Sequence, residues 1–144
     1  MVTKIIEKNI DFKDFNQQKT FKIKVDESTS QELTMILLLL REDLAKSVEI
    51  KFNNFNFYIS LLKKSNLSLY DKLDERNKIF KCQISLNSLE YLLYFLLKYY
   101  RDRIGESNHV DIDFLQGKEE CTLTVECEKF KEYSPEEINK LLGI

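Results

Sequence analysis

The chain has 144 residues, of which 43% are hydrophobic and 32% charged, and its formal net charge is -2. This length corresponds to about one domain, and the composition is typical of a globular chain without a membrane span. Only three Gly, one Pro and one His are present. These counts exclude glycine-rich phosphate loops, dinucleotide-binding fingerprints and catalysis that needs several histidines. The near-neutral charge does not favour nucleic acid as a partner.

The cysteines and the first residues indicate a reducing compartment. Cys82, Cys121 and Cys127 are odd in number, and Met1 leads into a charged stretch, 2–12, rather than an apolar signal region. We therefore expect a cytoplasmic protein. The abundance of Lys and Asn and the scarcity of Ala favour a bacterial source.

Strand and helix signals begin at the start of the chain. A strand within 2–12 is predicted to pair with a strand over 19–26, where apolar residues alternate. Thr29, followed three residues later by Glu32, has the spacing of a capping box. This motif predicts a first helix over about 30–46.

A hairpin is predicted after the first helix. A two-residue turn at 53–54 places Ile50 opposite Phe57. The same register places Val48 opposite Ile59, so that inward residues meet only apolar partners. A shift of one residue would turn these side chains to the other face of the sheet.

The same order of elements then recurs. A hairpin around 74–77 is predicted to pair Leu69 with Cys82. A second helix should begin near Ser85 or Asn87 and run to about Arg103, and Gly105 would supply the left-handed residue that ends it.

The last two elements are a hairpin and a short helix. A turn at 117–118, where glycine suits a type II′ turn, would place Ile112 opposite Leu123. A serine N-cap, a proline in the first turn and two glutamates predict a C-terminal helix over 134–142.

Together these elements predict an α+β fold in a single domain, 1–144. We expect two similar strand-strand-helix-hairpin halves, 1–65 and 66–130, with a mostly antiparallel sheet, two long helices and the short C-terminal helix. An offset of 56 aligns apolar residues of the two long helices, for example Leu33 with Leu89. Convergence would give the same match, since any two core helices share this period.

The repeated strand-helix-strand-strand order resembles the tandem effector-binding domains of some bacterial regulators. This resemblance implies a small-molecule-sensing function. It rests on the order of elements alone and therefore assigns no ligand-binding residue.

Both long helices carry apolar residues opposite their main apolar stripe, where a surface helix is normally polar. These residues are Met35, Leu38, Leu39, Tyr91, Tyr94 and Phe95. An internal contact, between the helices or with the C-terminal helix, would cover them. Alternatively they form a partner surface, a homodimer contact or one side of a ligand cleft.

Residue sets that could carry catalysis are weak. His109, Asp111 and Asp113 share one strand face, but they span about 13 Å and cannot all bind one ion. The three cysteines are in phase with inward apolar residues, as expected for small core side chains. We therefore predict no catalytic residue, no metal and no cofactor.

The final hairpin has an acidic outer face, which is the strongest functional feature of the sequence. Its acids are Asp111, Asp113, Glu120, Glu126 and Glu128. Carboxylates on a rigid two-stranded surface attract a basic partner. Solubility and protection of a sheet edge are the alternative explanation. Lys22 and Lys24, with 63–64 nearby in sequence, form only a modest basic strip.

These observations predict a non-enzymatic protein-binding module of the inhibitor or immunity type, which uses the acidic hairpin against a basic protein and has no membrane or nucleic-acid partner. The alternative prediction is a small-molecule sensor. Its ligand would lie in a cleft between the two halves, bordered by Tyr91, Tyr94 and Phe95.

Overall fold

The computed structural model describes residues 1–102, 109–128 and 134–143, which form an α+β fold. The strands are β1 (Val2–Ile5), β2 (Asp11–Phe15), β3 (Gln18–Val25), β4 (Ser47–Lys51), β5 (Asn56–Leu62), β6 (Ser68–Asp74), β7 (Ile79–Ser85), β8 (His109–Gln116) and β9 (Glu119–Cys127). The helices are α1 (Glu27–Arg41), α2 (Leu86–Asp102) and α3 (Pro135–Leu142), of 15, 17 and 8 residues.

The nine strands form one mixed sheet in the order β1-β4-β5-β7-β6-β8-β9-β3-β2. The antiparallel pairs are β2–β3, β4–β5, β6–β7 and β8–β9. The parallel pairs are β1–β4, β5–β7, β6–β8 and β3–β9. The prediction of a mostly antiparallel sheet is therefore wrong. Each antiparallel pair is a local hairpin. The parallel pairs join strands that are not consecutive in the chain, and the alternation of apolar residues does not indicate which of these strands are neighbours.

The registers predicted for two hairpins are confirmed. Ile50 lies opposite Phe57 in β4–β5, and Ile112 lies opposite Leu123 in β8–β9. At the turn between β8 and β9, Gly117 has a φ of 61°, which glycine adopts without a steric penalty. Both hairpins therefore turn one apolar face inward.

Two other strand predictions need correction. Tyr70, not Leu69, lies opposite Cys82. The β6–β7 connection is 75–78 rather than 74–77, since Asp74 pairs with Ile79, and a bulge between Tyr70 and Lys72 reverses only part of this shift in register. The strand expected within 2–12 is two strands, of which β1 pairs with β4 and β2 pairs with β3.

The two edge strands of the sheet, β1 and β2, are joined by residues 6–10 alone, which we call the seam. In a flat sheet of nine strands the edges would lie about 38 Å apart, whereas the seam spans at most about 20 Å. The sheet must therefore curl until its edges approach each other. The Asn54 side chain stabilises this closure, because it accepts a hydrogen bond from the Ile10 N–H (2.8 Å) and donates one to the Ile10 carbonyl (2.7 Å).

The curled sheet encloses an aromatic core. The ring of Phe21 in β3 lies 4.9 Å, between centroids, from the rings of Phe55, Phe57 and Phe80. β3 and β5 are five places apart in the sheet, so these ring contacts require the curl. Aromatic pairs at this distance stabilise a core beyond the area that they bury.

Helix α1 begins earlier and ends earlier than predicted. Asp26, not Thr29, is its N-cap, and the Asp26 carboxylate accepts a hydrogen bond from the Thr29 N–H at 2.8 Å. Helix α2 matches the predicted range within one residue at each end, and Gly105, which follows it, lies outside the described residues. The serine N-cap and capping box of α3 are confirmed.

Helices α1 and α2 are antiparallel neighbours. The Ser30 hydroxyl donates to the Leu96 carbonyl at 3.4 Å, and Arg41 lies 3.5 Å from Glu90. The start of one helix therefore lies beside the later turns of the other, and their buried faces cover the sheet together.

Candidate functional site

The outer face of the β8–β9 hairpin carries two exposed aspartates in fixed positions. Asp111 lies opposite Thr124, and Asp113 lies opposite Thr122. Each aspartate accepts a hydrogen bond from the opposite threonine hydroxyl, at 2.6 Å for Asp111 and 2.8 Å for Asp113. The threonines orient the carboxylates without neutralising their charge.

Glu120 lies beside Asp113 on the same face. The negative charge of Asp113 raises the pKa of the Glu120 carboxyl, and a hydrogen bond between the two side chains acts in the same direction. This is the expected effect when two carboxyl groups are close together. Asp111, Asp113 and Glu120 form a surface that we call the acidic patch.

The other two predicted acids have cationic partners. The Glu126 carboxylate lies 3.0 Å from Lys22 Nζ, and the Glu128 carboxylate lies 3.7 Å from Lys8 Nζ. Among the described residues, no lysine or arginine forms an ion pair with the acidic patch. His109 Nε2 lies 3.7 Å from Asp111 and adds positive charge only when it is protonated.

The sequence did not reveal the pairing of Glu126 with Lys22. Alternation in β3 correctly turned Lys22 outward, but β3 pairs in parallel with β9, about 100 residues later in the chain. Lys63, which the sequence analysis grouped with this strip, pairs with Asp43 at 3.3 Å. No local sequence signal identifies such a distant neighbour.

The six apolar residues predicted on the outer helix faces fall into two groups. Three are partly buried and pack against the core: Leu38, Leu39 and Phe95. Three are exposed: Met35 (71%), Tyr91 (58%) and Tyr94 (60%). Leu97, three residues after Tyr94, is 51% exposed. We call Tyr91, Tyr94 and Leu97 the α2 stripe.

Helix α3 has an apolar side that is exposed, and we call it the α3 face. Its residues are Ile138 (44% exposed), Leu141 (71%) and Leu142 (68%). Since none of the described residues of α3 is buried, the predicted cover of α1 or α2 by this helix is not formed in this arrangement.

Surface concavities occur away from the α2 stripe. A polar one of about 640 Å³ lies between the β2–β3 and β8–β9 turns and is lined by Lys19 and Glu119. A second, of about 370 Å³, lies between β1 and α1 and is lined by Met35 and Leu39. Neither is bordered by the aromatic residues of α2, on which the predicted ligand cleft depends.

The cysteines are buried and unreactive. Burial raises the pKa of the Cys121 and Cys127 thiols to about 12 and also raises the pKa of Cys82 well above its ordinary value. At neutral pH these thiols remain protonated, and the nucleophilic thiolate is not formed. The described residues contain no group of three or more His, Cys, Asp or Glu side chains that could hold a metal ion.

Two further findings bear on function. No helix in the described ranges combines the length and apolar character needed to span a membrane. No protein-family model, curated protein or solved structure matches this chain. Function must therefore be argued from the geometry of the acidic patch and of the helices.

Proposed function

We propose that the chain is a protein-binding module that acts without catalysis and binds a basic partner protein through the acidic patch. The observation that carries the proposal is the set of three exposed carboxylates with no lysine or arginine partner in the described chain. Such charges attract a cationic partner over several ångströms and orient it during encounter.

The position of the hairpin in the sheet supports this proposal over edge protection. Strands β8 and β9 are sixth and seventh in the nine-stranded order, and each has a neighbour on both sides. Charges that block edge-to-edge association are needed on β1 and β2, which are the edges. The carboxylates of the acidic patch therefore have no role in protecting an edge.

The rigidity of the patch favours a preformed binding surface. Asp111 and Asp113 are two residues apart on one strand, about 7 Å. The inner side of the same hairpin is anchored by Val110, Ile112 and Leu123, which are at most 5% exposed. A partner with closely spaced lysines or arginines fits this geometry. We retain a bacterial inhibitor or immunity-type role, with the partner as its target, as the proposed class.

The experiment compares the wild-type chain with the triple variant Asp111→Asn, Asp113→Asn and Glu120→Gln. Each is immobilised and exposed to a bacterial cell extract at low and high salt, and a retained basic protein is identified and titrated by calorimetry. We expect binding to the wild type to weaken at high salt and to be lost in the variant, because screening and neutralisation remove the same attraction.

A matched control separates the patch from overall charge. The variant Glu7→Gln, Glu75→Gln and Glu136→Gln changes three exposed acids elsewhere and shifts the net charge from -2 by the same three units to +1. Binding should persist in this control. Equal loss in both variants, or salt-independent binding, would contradict the proposal.

A second proposal concerns the two halves, 1–65 and 66–130, which we infer to be two copies of one unit. The hairpins β4–β5 and β8–β9 correspond, as do the parallel pairs β5–β7 and β9–β3. An offset of 59, rather than 56, aligns Phe21 with Phe80 and Asp26 with Ser85. The side chains of Asp26 and Ser85 play the same part, since each accepts a hydrogen bond from the backbone N–H three residues later. The acidic patch then belongs to only one of two equivalent hairpins.

A tandem gene that encodes residues 66–130 twice tests this second proposal. If the halves are equivalent, the product should fold cooperatively and give a circular dichroism spectrum close to that of the wild type. A disordered product would count against equivalence.

A further inference from the structure

The exposed side of helix α2 has a symmetric order of residues around Tyr94. At about 100° per residue, Tyr91 and Leu97 lie about 60° to either side of Tyr94. Glu90 and Lys98 lie about 40° to either side of it. Tyr91, Tyr94 and Leu97 are each more than half exposed. In both directions from Tyr94 the helix therefore presents an apolar side chain and then a charged one, and the two charges are opposite.

We infer that this side of α2 binds the α2 of a second copy of the chain, antiparallel and across a two-fold axis that passes through Tyr94. In a contact with this symmetry, each residue before Tyr94 faces the residue equally far after it in the other copy. Tyr94 then meets its own equivalent, and Tyr91 meets Leu97. Glu90 meets Lys98 twice in the dimer. One register thus satisfies both the apolar and the charged contacts.

The charges are what select a second copy of α2 as the occupant. An apolar stripe alone would accept many partners. Opposite charges at equal distances from the centre make the surface complementary to itself only in the antiparallel orientation. A parallel pairing would bring Glu90 near Glu90 and Lys98 near Lys98, and like charges disfavour association.

Both charges are available for this contact. Arg41 lies 3.5 Å from Glu90 but also pairs with Glu42 at 2.7 Å. These three side chains carry one positive and two negative charges, so a negative charge remains in excess beside the α2 stripe. Lys98 is partly exposed, and no other described residue forms an ion pair with it. The acidic group of one copy can therefore attract the lysine of the other.

The contact is small, and a weak, reversible dimer is the expected result. A helix of 17 residues is about 26 Å long, and a contact of this length buries less than the roughly 800 Å² per partner of a standard interface. Tyrosines at the centre of a contact are typical of the residues that contribute most to affinity. We expect a dissociation constant in the micromolar range. The dimer is independent of the acidic patch and of the partner proposed for it.

Exchange of the two charges in the full chain tests the inference by sedimentation velocity at several protein concentrations. Glu90→Lys places a lysine against Lys98 at two points of the dimer, and Lys98→Glu places a glutamate against Glu90. Each single variant should therefore raise the dissociation constant at least about tenfold. When the two variants are mixed, every lysine faces a glutamate, so a mixed dimer should form about as well as the wild-type dimer.

A matched pair of variants controls for overall charge. Glu75→Lys and Lys13→Glu make the same charge changes at exposed positions outside α2. Their dissociation constants, alone and mixed, should stay within about twofold of the wild-type value, as for most surface substitutions. Circular dichroism establishes that all four variants are folded.

Three results would overturn the inference. A wild type that stays monomeric up to about 0.5 mM would mean that the α2 stripe does not bind a second copy. A dimer that persists in both single variants of α2 would place the contact elsewhere on the chain. Loss of the dimer in both variants without recovery on mixing would mean that Glu90 and Lys98 do not face each other.

Discussion

The hairpins β4–β5 and β8–β9 share an apolar inner face but use their outer acids differently. In β4–β5, Glu49 is only 7% exposed and accepts a hydrogen bond from the Thr3 hydroxyl at 3.0 Å. A hydrogen bond from Tyr58 lowers the pKa of Glu49. In β8–β9, threonines bond Asp111 and Asp113 but leave them exposed. The neighbouring strands therefore decide whether an outward acid stabilises the fold or remains available to a partner.

The inner faces offer the strongest way to test this comparison. Phe57→Ala in β5 should lower the free energy of unfolding by about 3–5 kcal/mol, and Leu123→Ala in β9 by about 2–5 kcal/mol. Phe57 should cost more, because its ring contacts Phe21 and Phe80 at 4.9 and 5.3 Å. Urea denaturation measures both values. A larger loss of unfolding free energy for Leu123→Ala would mean that β8–β9, rather than β4–β5, contributes most to the core.

Substitutions in the turns of the two hairpins should differ in their effect on stability. Asn54→Ala removes both hydrogen bonds to Ile10 and should cost about 1–3 kcal/mol. Lys118→Ala, in the turn of β8–β9, should change stability by less than about 0.5 kcal/mol. Asn54→Asp keeps the acceptor but places a carboxylate oxygen against the Ile10 carbonyl oxygen, so at pH 7 it should cost at least as much as Asn54→Ala. If all three variants were equally stable in urea, Asn54 would have no role in closing the seam.

The buried and exposed acids should respond differently to neutralisation. Glu49→Gln should cost about 1 kcal/mol at pH 7, because hydrogen bonds to a charged acceptor are stronger, whereas Asp111→Asn should be nearly neutral. Since the pKa of Glu49 is lowered by folding, its stabilisation is present above the unfolded pKa of about 4.3 and is lost as the pH falls through the lower folded value. Glu49→Gln should therefore reduce the acid sensitivity of thermal unfolding, and an unchanged pH profile would argue against the charged bond.

The smallest expected effect is a stabilisation, whereas the earlier variants are expected to destabilise the chain. Because Asp113 raises the pKa of Glu120, the contribution of Glu120 to stability is present below its unfolded pKa and is lost as the pH rises through the folded value. Glu120→Gln should therefore unfold at a slightly higher temperature than the wild type at pH 7. The difference should disappear near pH 3, where the Glu120 carboxyl, whose pKa is raised, is protonated. A lower unfolding temperature at pH 7 would mean that Glu120 makes a stabilising contact.

Sequence reasoning predicted well what short-range patterns control. The alternation of Val110, Ile112 and Phe114 gave the inner face and the register of the last hairpin, and the serine and proline at the start of α3 gave its N-terminus. These features depend on residues only a few positions apart. The set of acids on the outer face of β8–β9 could also be predicted, because the register of the hairpin fixes which residues share a face.

The parallel neighbours could not be predicted in the same way. Nothing near Lys22 identifies Glu126 as its partner, and nothing near Thr3 identifies Glu49. Both contacts depend on the order of strands in the finished sheet. Two of the five acids predicted as a partner-binding surface, Glu126 and Glu128, therefore have lysine partners that the sequence did not reveal.

The pairing of β3 with β9 has a consequence for biosynthesis. Lys19 lies opposite Cys121, so 102 residues (121 minus 19) separate the two partners. At about 5–20 residues per second, a ribosome needs roughly 5–20 s to make β9 after β3 has been made. During this time the Phe21 side of β3 lacks its neighbour, and the aromatic core stays open. The chain must therefore fold after synthesis of β9, and nascent chains that stop earlier should depend on chaperones to avoid aggregation.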